Sequence, residues 1–408
     1  MMHKTSISPF LRPLLIWIAG ILIHHHFRPG IYAFAILAPV LAILTGSALA
    51  SRSDAQGGDE YRPSGPAWSI AFGCILLFLA VATTSIHEAK RSAEGDAHSR
   101  SSRWAEQMRS KLSEPISRLS TTDDAKALLT AITLGSRESM SKNMKRNFSA
   151  AGAAHILSVS GFHVGLICGF ASLLLSFFSN RTFGRVARFL LTMTAVWAFA
   201  IITGLTSPTL RAAITITLYL CAQLFSRPSC GYDCLFAAAF LSLLCNPFDL
   251  FDVGFQLSYL ALLSILILHP RIVALIEVYN LLLRVPWESI SIAIAAQIGV
   301  SFLCIYHFEQ ISTIFLIANL YIGMAASILL PLALTWFVVN AYLPANNILE
   351  RSITILAENM VSTTESLART PYASLSLHLN QRATIFCYAL LSLSLYFLLY
   401  KNKPIPLP

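Results

Sequence analysis

Residues 153–170 read Ala153-Ala154-His155-Ile156-Leu157-Ser158-Val159-Ser160-Gly161-Phe162-His163-Val164-Gly165-Leu166-Ile167-Cys168-Gly169-Phe170, and they open a long apolar run. A hydrophobic segment of this length is expected to be a transmembrane helix. Hydrocarbon offers imidazoles and hydroxyls no hydrogen-bond partner, yet His155, Ser158, Ser160 and His163 gather in its first half. Ser160 and His163 are three apart and share a face, which should look at protein or water rather than lipid. Gly152, Gly161, Gly165 and Gly169 are small positions where another backbone can come close. Two readings stand open: these groups line a wet path, or they make a polar contact between helices with no transport role.

Working outward, the 408 residues are 55% hydrophobic and only 12% charged, against about 25% charged in an ordinary soluble domain. That deficit excludes a soluble globular protein and implies a polytopic one. The net charge of +9 fits nucleic acid, anionic lipid head groups, or simply the basic excess of cytoplasmic loops. Cys74, Cys168, Cys221, Cys245, Cys304 and Cys387 lie in apolar runs, where cysteine acts as a small hydrophobe. Cys230 and Cys234 have no second pair or histidine nearby to complete a zinc site. The first apolar run, Leu11 to Ile23, leads into His24-His25-His26 and Arg28-Pro29 rather than a cleavage site, so it is expected to be retained. The three histidines read as an interfacial anchor.

Spans are expected at 9–27, 31–50 and 68–86, with a Gly/Ser/Asp/Pro-rich loop from Ser51 to Ala67. Residues 87–150 form a polar connector in which basic residues outnumber acidic ones. Within it Trp104, Met108, Leu112, Ile116 and Leu119 recur at helical spacing, the pattern of an amphipathic helix on a membrane face. A second helix is expected from Asp123 to Leu134, with Thr121 or Thr122 as N-cap and an end near Gly135. After the central block, spans follow at 189–204, 210–225, 234–246, 255–269, 289–306, 311–343 and 384–400. Several are too short to cross alone, which points to broken helices around a cavity, with the clearest breaks at Gly204 to Pro208 and Asn246 to Gly254. Whether 311–343 crosses once or twice is open. Ile348 to Leu367 reads as another interfacial helix, with Glu350, Arg351, Glu358 and Glu365 on its polar side. Loop charge puts 180–188, 226–233 and 269–287 in the cytoplasm and 205–209, 246–254 and 87–150 outside; the last is basic, but segments that long cross with little regard to charge.

Catalytic constellations are scarce. There is no phosphate-binding Gly-x4-Gly-Lys-Ser/Thr loop and no histidine-rich metallohydrolase motif, so neither nucleotide hydrolysis nor a metal or cofactor site is expected. Ser160 and His163 could be cast as nucleophile and base, but without an acidic orienter. The remaining polar groups cluster near breaks. Arg211 follows Gly204, Ser207 and Pro208 just inside a span, where a guanidinium suits phosphate or, equally, an ion pair with Asp249, Asp252 or Glu309. Gln256, Ser258 and Tyr259 open another span, and Gln297 and Asn319 lie on the next two. Phe255 and Tyr259 are four apart and form either a stacking face for bases or a packed aromatic pair.

These blocks resemble those of the ComEC-type competence membrane domain. Leu128 to Arg137 ends in a turn like that family's Leu-Gly-Asp-Arg, and 148–165 resembles its His-Leu-Leu-Ala-Ile-Ser-Gly-Leu-His-Val string. Gly204 to Ala212 is similar to its Gly-x-Ser-x-x-x-x-Arg-Ala block, and Asn246-Pro247 with Gly254 to Tyr259 to its Asn-Pro…Gly-Phe-Gln-Leu-Ser-Phe block. The resemblance covers about 125–400. It implies an inner-membrane channel that passes single-stranded DNA to the cytoplasm during natural transformation, with His155, Ser160, His163, Arg211, Gln256 and Ser258 in or beside the conduit. Many members insert an oligonucleotide-binding-like domain after the early spans and carry a C-terminal metallo-β-lactamase-like domain. Here the interval from Ile86 to Trp104 is short and the sequence ends at Pro408, so neither is expected.

The expectation is therefore an all-α transmembrane bundle of about ten to twelve spans, with broken helices and interfacial amphipathic helices. Residues 1–86 would be N-terminal spans, 87–150 the connector, 151–400 the channel domain and 401–408 a tail. The expected path runs along His155, Ser158, Ser160, Gly161, His163, Gly204, Ser207, Arg211, Gln256, Ser258, Tyr259, Gln297 and Asn319. Expected partners are single-stranded DNA, membrane lipid, a periplasmic DNA receptor, a cytoplasmic ATPase or strand-binding proteins, and a separate nuclease. The alternatives are a permease for a small anionic solute and a non-transporting remnant.

Overall fold

In the computed structural model, residues 8–27, 66–93, 100–178, 182–225, 231–342 and 347–401 are described. The span expected at 31–50, the loop after it and the tail 402–408 lie outside them. The described residues form fourteen α-helices, and the chain is an all-α, multi-pass membrane protein. Among the described residues five helices are long and apolar enough to cross a membrane: Phe72–Lys90, Thr182–Ile202, Val253–Val273, Leu282–Phe308 and Phe315–Tyr342. Leu11–Phe27, Gly161–Leu174 and Gly231–Cys245 are apolar but shorter. The run 311–343 resolves into one continuous helix, Phe315–Tyr342, preceded by a short strand.

The chain divides into two compact units, Met1–His98 with Ser229–Asp252, and Ser99–Pro228 with Val253–Pro408. In the first, Leu11–Phe27 meets the Pro66–Ala93 helix so closely that a Cβ on Gly20 would fall 2.6 Å from the Ala80 Cβ. Trp17 is buried, donates its indole N–H to the Leu243 carbonyl (3.4 Å) and sits edge-on to Phe240. His24 is buried with Nε2 3.6 Å from the Glu88 carboxylate, and the His25 ring lies against Phe251. The histidine run is thus tied into protein rather than serving only as an interfacial anchor.

The second unit is built on a helix from the polar connector. Asp123–Leu134 starts where Thr122 Oγ1 accepts the Ala125 N–H (3.3 Å) and stops at Gly135, whose φ of 76° closes the last turn. Most of its residues are buried, Leu128 and Ile132 completely. Asn347–Ala368 lays Ile353, Ala357, Met360 and Thr364, all on one face, into the same core. Leu112, Ile116 and Leu119, at the end of Arg100–Ser117, join them; the side chain of Trp104 is outside the described residues. Both helices were expected to rest on lipid. Their described apolar stripes are covered by protein instead, because an amphipathic face specifies an apolar neighbour without saying which. Thr121, the alternative N-cap, instead donates to Glu358 (2.5 Å) and fastens the two helices together.

The antiparallel pair Val253–Val273 and Leu281–Phe308 is drawn together by small residues. Ser264 Oγ donates to the Ala295 carbonyl (2.6 Å), and a Cβ on Gly299 would fall 2.5 Å from the Ser264 Cβ. Tyr388 donates its hydroxyl to the Gly299 carbonyl and brings in Gln381–Lys401. The sequence pattern did not announce the small sheet, Gln310–Ser312 antiparallel to Ser374–Ser376. Three residues are too few to show an alternation.

Candidate functional site

The block that opened the sequence reading is not one helix. Gly152 turns with φ 78°, Ala154–Ile156 makes a single 3-10 turn, and the helix proper, Gly161–Leu174, begins only after Ser160. His155 and Ser158 therefore precede the helix instead of sharing its first half with Ser160 and His163. His155 is exposed, and Ser158 Oγ donates to its carbonyl (3.3 Å). The left-handed turn at Gly152 and the extended N-cap at Ser160 delay the helix start.

Ser160 and His163 do come together. The Ser160 backbone N–H donates to His163 Nδ1 (3.3 Å), and Ser160 Oγ lies 3.1 Å from the same nitrogen. Since Nδ1 accepts, the ring proton sits on Nε2. His163 is fully buried, and its Nε2 has no hydrogen-bond partner in the structure. The arrangement is that of a helix cap whose far nitrogen remains a donor facing inward. Gly161 meets the Ala212 side chain, since its Cβ would lie 3.6 Å from that of Ala212, whereas Gly165 and Gly169 have nothing within 4 Å. Of the four glycines read as close-approach points, Gly152 and Gly161 act as such here.

The break at 203–206 is made by two successive left-handed residues, Gly204 (φ 84°) and Leu205 (φ 49°), which end Thr182–Ile202. Ser207–Leu224 then starts with Pro208 in its first turn. One turn on, Arg211 is only 4% exposed. It donates through Nη1 to Ser207 Oγ (2.5 Å), and its guanidinium carbon lies 5.8 Å from the centre of the Phe255 ring. Phe255 is buried and its ring centre is 4.5 Å from that of Tyr259, a tilted packed pair rather than an open stacking face. Glu309, one of the partners considered for Arg211, is engaged by His378 (3.1 Å).

The motif blocks converge. A Cβ on Gly135 would touch both Val159 and Thr203, each at 3.2 Å, so the turns at 135, 159 and 203 share one contact. Beside it the Arg109 guanidinium lies 3.3 Å from where a Gly204 Cβ would be, at the carbonyl end of Thr182–Ile202. Sequence reading missed Arg109, since nothing in its spacing separates it from the other basic residues of the connector. Gln256 and Ser258 are half-buried on the helix that carries Phe255; Gln297 and Asn319 are half-buried on the two that follow, and the Asn319 Oδ1 is buried without a partner. The helices beginning at Gly161, Ser207 and Val253 bring their first turns to this junction, through the Gly161–Ala212 and Arg211–Phe255 contacts. Their partial positive ends and the Arg211 guanidinium meet the partial negative carbonyl ends of Asp123–Leu134 and Thr182–Ile202 here, the latter beside Arg109. Among the described residues no three His, Cys, Asp or Glu side chains gather as metal ligands, and Cys74, Cys168, Cys221, Cys245, Cys304 and Cys387 are free thiols.

The family model described as "Competence protein" matches residues 132–403, from the end of the core helix through the last one. The chain belongs to the competence protein family. Every site residue named from sequence falls inside the family match; Arg109 lies before it. Among curated relatives, ComE operon protein 3 of Bacillus subtilis (strain 168) is 27% identical over 192 residues, 47% of this chain and 23% of that protein. An uncharacterized protein of Aquifex aeolicus (strain VF5) is 30% identical over 132 residues, 32% of this chain and 30% of that one. The chain thus spans less than a third of the length of the curated relatives it matches. No solved structure matches it.

Proposed function

We propose that this competence-family chain takes up DNA as a channel in the bacterial inner membrane, passing one strand to the cytoplasm during natural transformation. The observation that carries the reading is Arg211: a buried guanidinium on a broken helix, at the meeting of three helix first turns. An always-charged fork is suited to a phosphate and does not distinguish bases, as a sequence-independent conduit requires. Arg211 lies against Ser207 and the Phe255 ring. A passing phosphate would compete for that fork, and the ring would keep its charge from being stranded between phosphates. His163 and Arg211 are both buried, so on this reading a strand would pass only when the Gly161–Leu174, Ser207–Leu224 and Val253–Val273 helices part. The buried His163 Nε2–H and Asn319 Oδ1 are groups that an opened, hydrated path would satisfy.

The basic residues Arg109, Lys142, Lys145 and Arg146 would gather the strand at the entrance. A periplasmic receptor would deliver it, a cytoplasmic ATPase or strand-binding proteins would supply the pull, and a separate nuclease would remove the other strand. Arg211→Ala is expected to abolish transformation while membrane abundance stays at the wild-type level, and Arg211→Lys is expected to restore only part of the activity. Reconstituted vesicles separate this from the small-anion permease: they should admit labelled single-stranded DNA. Solute flux with the strand excluded, or normal transformation by Arg211→Ala, would remove the phosphate-passing role.

A further inference from the structure

Lys142–Ala150 is a nine-residue helix that starts where Ser141 Oγ accepts the Met144 N–H (3.1 Å). Met144 and Phe148, four apart, are buried in the core and fix which way it faces. At about 3.6 residues per turn, Lys142, Lys145, Arg146 and Ser149 fall on the opposite side, and all four are exposed. The three cations make no ion pair or hydrogen bond among the described residues. Arg137, in the turn before the helix, is exposed as well, and Glu138 is the one acidic residue between Gly135 and Ala150. The neighbours do little to neutralise this face. On Asn347–Ala368, which packs against it, Glu358 is held by Thr121, Glu365 by Arg369, and Glu350 is followed by Arg351. The strand Gln310–Ser312 and the turn Ala154–Ile156, also in contact, carry no carboxylate.

Two features narrow the partner. No large hydrophobic side chain between Gln107 and Gly161 is exposed, so this surface has nothing to insert among acyl chains and a bilayer is disfavoured. Phe148 is the only Phe, Tyr or Trp in that stretch and is 1% exposed. The stretch therefore offers no ring for bases to stack on, which single-strand binding uses. What remains is a convex row of cations, Lys142 and Arg146 about 6 Å apart along the axis, suited to a phosphate backbone. A duplex carries twice the charge of a single strand along its axis and is the better match. The helix runs into Gly152, whose Cβ would lie 3.0 Å from that of Phe315, and Gly161 further on meets Ala212 beside Arg211. It thus stands at the Arg211 end of this unit.

We propose that Lys142–Ala150 docks double-stranded DNA by its phosphate backbone, before the strands part, at the Arg211 end of the path. The choice of DNA as the polyanion rests on the DNA-uptake reading above, whereas the preference for a duplex rests on this surface itself.

The test uses the full chain in phosphatidylcholine nanodiscs and the fluorescence anisotropy of a labelled blunt duplex, and of one of its strands, across a range of salt. The wild type should bind the duplex about threefold or more tighter than the strand of equal length. The triple variant Lys142→Gln, Lys145→Gln, Arg146→Gln should weaken duplex binding by about tenfold or more. It should also lower the slope of log affinity against log salt by about 2–3, since each phosphate contact on a duplex contributes about 0.9. Ser149→Lys, on the same face, should tighten binding and raise the slope by about 1. Arg211→Ala should leave duplex affinity within about twofold, which separates docking from the passage of the strand. A strand bound as tightly as the duplex, or a triple variant with unchanged affinity and slope, overturns the docking site and leaves the channel reading standing. So does a difference between wild type and triple variant that vanishes when phosphatidylglycerol replaces phosphatidylcholine, which would give the helix to lipid head groups.

Discussion

Gly152 and Gly169 flank the same apolar block and answer to different constraints. Gly152 has φ 78°, and a Cβ there would lie 2.8 Å from the Ser312 Cβ and 3.0 Å from that of Phe315. Alanine would meet both a left-handed backbone and a wall that cannot retreat without moving the strand. Gly152→Ala is expected to destabilise by about 2–4 kcal/mol. Gly169 is inside a regular helix with nothing within 4 Å, so Gly169→Ala should be neutral or stabilise by up to about 1 kcal/mol. Thermal unfolding of the detergent-solubilised protein measures both; equal effects would mean that the approach to Ser312 is not made. The Ser160–His163 pair, held within one helical turn, was legible in the sequence at this scale; that Ser207 takes the Arg211 guanidinium was not read there, where acidic residues were the expected partners. Arg109 was not, because its helix reaches Gly204 from a distant part of the chain and leaves no spacing to read. His155 and Ser158 were misassigned to the helix because the apolar run continues across a turn that only Gly152 and Ser160 mark.

Helix ends were legible wherever the cap is local. Asp123–Leu134 has the limits that Thr122 and Gly135 predict, and the breaks at Gly204–Pro208 and Asn246–Gly254 are where the sequence puts them. What covers each helix was not. Asn347–Ala368 carries the stripe of a surface helix, and lipid or protein would satisfy it equally until the neighbours are known. The structure decides for protein: Met360 is fully buried in the core that also holds Leu128 and Ile132. Met360→Ala should therefore cost about 2–5 kcal/mol, whereas the exposed Ser362→Ala should stay within about 0.5 kcal/mol. A Met360→Ala protein as stable as wild type in denaturant titrations would return this helix to the lipid surface.

Within the larger unit, chain direction and loop charge make a joint statement about the two faces of the membrane. Gly135 touches Thr203, and the chain passes from there through the left-handed turn to Arg211 and Phe255. From Phe255, Val253–Val273 runs away from this junction and Leu281–Phe308 returns, with Trp287 bonded to the Val273 carbonyl at the far end. Glu138, exposed just after Gly135, therefore stands at the Arg211 end, while Arg284, exposed at the start of the returning helix, stands at the opposite one. The basic loop 269–287 should be cytoplasmic and the Arg211 end should face outward, as the entrance of the proposed DNA path must. In a background with native cysteines replaced, Glu138→Cys should react with a membrane-impermeant maleimide in intact spheroplasts. Arg284→Cys should react only after permeabilisation. Labelling of both from one face would break the spanning of this helix pair. Labelling of Arg284→Cys alone from outside would turn the molecule over, and the gathering of a strand by Arg109, Lys142 and Lys145 would then belong to the wrong side of the membrane.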